Sequence, residues 1–85
     1  MVLLVEYEPR AVKELHWLPL TDKQRITRRI VAYAADPAST AHDVVPLRGT
    51  ADGFRLRVGD WRVIFRLSPG TMYVRRVVHR REAYR

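Results

Sequence analysis

The chain has no cysteine. That excludes a disulfide framework and a thiolate metal site. The three histidines, His16, His42 and His79, are too widely spaced to suggest a zinc motif. No long hydrophobic run is present either. The opening MVLLVEYEP is too short to span a bilayer, lacks a basic leader and shows no small-residue cleavage site. It reads as a first strand, and the chain is expected to be cytoplasmic, without membrane, metal or other cofactor. Its 85 residues are enough for one domain with one modest core and no second.

Lysine is scarce as well. Of sixteen basic residues only Lys13 and Lys23 are lysines, against nine acidic ones, for a net charge of +7 and a pI near 10.8. Such an excess points to a polyanionic partner. Its guanidinium character suits bidentate contact with phosphate.

Residues 2–7, rich in β-branched and aromatic side chains, predict a strand that stops at Glu8-Pro9, with Pro9 suited to open a helix. Over residues 9–18, Ala11, Leu15 and Leu18 form one apolar stripe, with Arg10, Lys13 and Glu14 on the other side. Pro19 ends this helix. Thr21 to Gln24 fits a capping box, which predicts a second helix from about Asp22. Its core face would be Ile26, Ile30, Tyr33 and Ala34, beside a basic stripe of Arg25, Arg28 and Arg29, and Asp36-Pro37 closes it. The short break between the helices implies an αα-hairpin that must cover a sheet. Residues 38–46 show no periodicity and read as a connector, followed by Leu47-Arg48-Gly49 and a loop to Gly53.

Residues 53–67, GFRLRVGDWRVIFRL, alternate apolar and mostly basic positions around Gly59-Asp60. A two-residue hairpin loop there pairs Val58 with Trp61, Arg57 with Arg62, Leu56 with Val63 and Arg55 with Ile64. Arg55, Arg57, Arg62 and Arg66 then share one face. Phe54, Leu56, Val58, Trp61, Val63, Phe65 and Leu67 share the other, which must meet the helices. Arginines directly opposite one another cost a few tenths to ~1 kcal/mol, and this face shows no acidic residue near Arg57 and Arg62. Held on rigid strands, the guanidinium groups could instead stabilise a phosphate or a phosphorane. A last strand over residues 72–79 delivers His79, and the tail delivers Tyr84, the two groups near the cluster able to move a proton.

The segments LRG at 47–49, FRLRVGDWRVIF at 54–65 and VVHRREAY at 77–84 resemble the RelE/ParE superfamily of bacterial toxins. The resemblance covers nearly the whole chain. It implies an α+β fold, β-α-α-β-β-β, with an antiparallel-rich sheet covered on one face by the helical hairpin. It further implies a metal-independent, ribosome-dependent mRNA endoribonuclease and a cognate antitoxin, acidic and partly disordered with a DNA-binding half, in a hetero-oligomer. Carried over by position, Arg55, Arg57, Arg62, Arg80 and Tyr84 would form the catalytic set, with His79 where several relatives carry histidine. Arg25, Arg28, Arg29, Arg48 and Arg66 would contact RNA and ribosome. In that chemistry a ribose 2′-hydroxyl attacks the adjacent phosphate, arginines stabilise the phosphorane, and Tyr84 and His79 serve as base and acid in either order.

Two alternatives remain open from the sequence. ParE-like members share the fold and poison DNA gyrase by protein contact. A non-catalytic RNA-binding module would need Trp61 to face the arginines, and the register turns it inward.

Overall fold

The computed structural model describes residues 2–83. In chain order it contains β1 (Leu4–Tyr7), α1 (Pro9–His16), α2 (Leu20–Ala35), β2 (Val44–Pro46), β3 (Gly53–Val58), β4 (Trp61–Ser68), β5 (Thr71–His79) and α3 (Arg80–Ala83). The strands form one sheet in the order β1-β5-β4-β3-β2. β1 runs parallel to β5 and every other pair is antiparallel. The expected α+β order therefore holds, with two additions. β2 lies within the segment expected to be a connector, where Val44 and Val45 pair with Leu56 and Arg55 before Pro46. Three residues are too few to show a period, and proline suits such an edge position. The tail adds the short α3.

α2 also begins earlier than its capping box suggested. Lys23 donates its backbone N–H to the Pro19 carbonyl at 2.9 Å, so the helix is under way before Thr21, whose side chain makes no cap. Asp22 still lies in the first turn, where it complements the helix dipole.

The core lies between the helices and one face of the sheet. Ile26, Ile30, Tyr33 and Ala34 of α2 are buried with Ala11 of α1 against Leu56, Val58, Val63, Phe65, Met72, Val74 and Val77. Each large aliphatic or aromatic side chain so buried contributes ~1.5–3 kcal/mol. Phe65 is the hub, with ring centroids 5.1 Å from Tyr33 and 5.7 Å from Phe54. Trp61 is half-buried against this cluster, on the helix side as its register requires.

β5 carries a bulge. Val74 pairs with Phe65 and Arg76 with Ile64, leaving Arg75 unpaired between them. The extra residue shifts the phase of alternation, so that Val74 and Val77, three apart, both enter the core. Arg75 turns out to solvent, 3.6 Å from Glu8.

Beyond Val74 no strand among the described residues lies beside the outer edge of β5, because β1 ends at Tyr7. α1 closes that edge. Glu14, expected on the helix's outer side, faces β5 instead: its carboxylate accepts the Val77 N–H at 2.8 Å and Arg76 Nη2 and Nε at 2.9 and 3.1 Å. An unpaired strand edge is thereby given an acceptor and a charge partner. Glu14→Ala leaves both donors without one and should cost about 2–3 kcal/mol, read as a lowered urea midpoint at unchanged m-value.

Burial raises the phenols of Tyr7 and Tyr33 above the ordinary value of 10.0. The folded chain therefore holds these protons to higher pH than the unfolded chain does. Their contribution is complete below about pH 10 and is lost as pH rises through the raised native values. Urea midpoints should fall on that alkaline side, and the fall should be shallower in a Tyr7→Phe, Tyr33→Phe double variant.

Candidate active site

The hairpin register is the one expected, from Val58 opposite Trp61 to Arg55 opposite Ile64. Gly59 opens the two-residue loop at φ +58°, a region that glycine enters without strain. Alternation then sends Arg55, Arg57 and Arg62 to the face away from the core. β2 extends this face, since Val45 pairs with Arg55 and the Arg57 N–H donates to the Asp43 carbonyl at 2.9 Å. Asp43, Val45, Arg55, Arg57 and Arg62 together line a recess of about 100 Å³.

Two expectations about this face are corrected. Arg62 does not project into solvent; it is only 6 % exposed. Its Nη1 donates to the carbonyls of Gly59 at 2.8 Å and Trp61 at 2.9 Å, so the oxygens of the turn fold the guanidinium back against the hairpin. Nor is the face free of acid. The Asp43 carboxylate lies 3.8 Å from Arg57 Nε, in the segment read as a connector. Both partners are more than half exposed, so their pairing is screened and adds little to stability. It does offset the opposition of Arg57 and Arg62.

The remaining predicted residues divide. Arg66 is on the same face but outside the recess, its guanidinium 4.1 Å above the Tyr73 ring. Arg80 lies beside the hairpin turn, bonded through its N–H to the Asp60 carbonyl at 2.8 Å and 3.7 Å from its carboxylate. Arg48 is exposed on the loop after β2. Arg25, Arg28 and Arg29 belong to α2, which packs on the opposite side of the sheet. Of these, Arg25 reaches the turn, where its Nη1 is 3.5 Å from the position of a Cβ on Gly59. Tyr84 lies outside the described residues.

His79 is not brought to the arginine face. It pairs with Trp61 on the helix side, with ring centroids 5.4 Å apart in an edge-to-face arrangement. Simple alternation from Met72 would have put it with the arginines; the bulge at Arg75 reverses the phase. Its Nδ1 accepts the Arg81 N–H at 3.3 Å, which tethers the start of α3. Among the described residues no three His, Asp or Glu side chains converge to hold a metal ion, and no described helix is long and apolar enough to cross a membrane.

Residues 5–84 match the sequence model of the ParE toxin of type II toxin–antitoxin systems, the parDE type. The chain belongs to this toxin family, within the RelE/ParE superfamily. No curated protein matches it. Its fold resembles the RelE–RelB complex structure from Pyrococcus horikoshii, at 27% identity and TM-score 0.78 over 94% of this chain and 97% of that one. It likewise resembles the RelBE2 toxin–antitoxin complex from Mycobacterium tuberculosis, at 26% identity and TM-score 0.79 over 93% of each chain. The isolated E. coli RelE toxin shares the fold at 19% identity and TM-score 0.77, over 98% of this chain and 96% of that one.

Because Arg62 is folded into the hairpin, Arg62→Ala should lower stability by about 1–3 kcal/mol through the carbonyls it abandons. Exposed Arg57→Ala should stay within about 0.5 kcal/mol of the parent. Thermal and urea unfolding of the two variants checks the contrast.

Proposed function

We propose that this toxin is a metal-independent endoribonuclease that cuts mRNA on the ribosome and so stops translation. The observation that carries the reading is the convergence of Arg55, Arg57 and Arg62 on one recess, on the sheet face that the helical hairpin leaves open. Its size suits a single phosphate group. In the reaction the ribose 2′-hydroxyl is an internal nucleophile, so the protein needs to supply positive charge, orientation and proton transfer. Guanidinium groups held on paired strands and against turn carbonyls provide the first two without reorganising. Losing one such stabiliser costs ~10²–10³ in rate.

The reading extends to a cognate antitoxin, as in the RelB complexes of the similar structures. A second, larger groove of about 400 Å³ between α1 and α2, lined by Tyr7, Val12, Leu15, His16, Lys23 and Thr27, lacks convergent cations and is mostly apolar. With Trp17 and Leu20 exposed at the tip of the helical hairpin, it suits the apolar face of an acidic segment that orders on binding. The charge of +7 would speed its capture.

The match to the ParE toxin sequence model favours a second reading, a gyrase poison acting by protein contact. Induction of the gene separates the two. As a ribonuclease, it should halt amino-acid incorporation within minutes while thymidine incorporation continues, with new 5′ ends in messages, and Arg57→Ala should relieve the arrest. Early loss of DNA synthesis with a DNA-damage response would overturn the ribonuclease reading in favour of the gyrase one.

A further inference from the structure

We infer that Asp43 is the proton acceptor of the arginine recess, taking the proton from the attacking ribose 2′-hydroxyl; this rests on the ribonuclease reading. A phosphate-cleaving site needs a group that can gain and lose a proton. The side chains lining the recess are Asp43, Val45, Arg55, Arg57 and Arg62. Guanidinium groups stay protonated and Val45 has nothing to titrate. His79 is turned to the other face, against Trp61. Asp43 is thus the one described residue of the recess able to accept a proton.

Its placement fits that task. The main chain of Asp43 is fixed by the 2.9 Å bond from the Arg57 N–H, which continues the β2–β3 pairing by one step. Two residues before Val45, it shares the face of Arg55 and Arg57. Arg57 Nε, 3.8 Å from Oδ2, holds the carboxylate beside the cations, and its exposure of 55 % leaves it open to substrate. A phosphate bound by the arginines would bring the neighbouring ribose to this rim. The carboxylate takes the 2′-hydroxyl proton as the 2′-oxygen forms its bond to phosphorus. The bond from phosphorus to the 5′-oxygen breaks, and that oxygen leaves with a proton from solvent water. The products are a 2′,3′-cyclic phosphate and a 5′-hydroxyl, with Asp43 protonated until it returns its proton to solvent.

The test is single-turnover cleavage of a defined message on purified bacterial ribosomes with an empty A site, by the parent chain and by Asp43→Asn, Asp43→Glu and Asp43→Ala. Asp43→Asn should unfold at the parent's temperature, bind programmed ribosomes within a few-fold of the parent, and cleave about 10²–10⁴-fold more slowly. The acid limb of the pH–rate profile should vanish with it, and Asp43→Glu should restore part of the rate. Cleavage by Asp43→Asn at the parent rate or faster would overturn the role of Asp43 alone, leaving it a counter-charge that restrains Arg57. Failure of the parent chain to cut at all would overturn the ribonuclease reading and the role of Asp43 together.

Discussion

Everything on the arginine face depends on the register of one hairpin. A slip of one residue between β3 and β4 would turn the side chains of β4 over, driving Arg62 and Arg66 into the core and Val63 and Phe65 into water. The Gly59-Asp60 loop and the burial of Leu56, Val58, Val63 and Phe65 fix that register from both ends. The packing that stabilises the domain is therefore the same packing that aims Arg55, Arg57 and Arg62. Site and core are two sides of one ribbon.

The site is also built to tolerate its own charge. Arg57 and Arg62 face each other, an arrangement that stability alone would not select. The chain answers it locally, giving Arg62 the carbonyls of Gly59 and Trp61 and Arg57 the carboxylate of Asp43. Neither answer neutralises the face. A fixed cationic surface of this kind repels itself until an anion arrives, so much of its electrostatic energy is available to binding.

What the sequence made legible follows from periodicity. The hairpin alternates over two full strands with Ile64 its one apolar outer position, and the core face of α2 repeats at helical spacing, so pairing and burial could be read directly. The features that escaped depend on contacts that periodicity does not encode. β2 exists because Val44 and Val45 have β3 to pair with, and its three residues carry no pattern of their own. Glu14 looks like a solvent-side helix residue until Arg76 and the Val77 N–H, 62 and 63 residues away, are placed beside it. Arg62 alternates as a surface residue, yet the turn it follows supplies acceptors that draw it in. For His79 its place at the end of the last strand misled, because the bulge at Arg75 turns that end over and sets the ring against Trp61.

The parallel pairing of β1 with β5 has a consequence for how the toxin is made. Leu4 meets Thr71 and Tyr7 meets Val74, so the first strand has no partner in the sheet until the last one has been synthesised. The helical hairpin likewise has no complete sheet to cover before then. A chain closed in this way pays its longest loop entropy when β1 and β5 meet, and its ordered state waits for β5 to be free to pair. The toxin domain is thus kept unassembled until its fifth strand has been made.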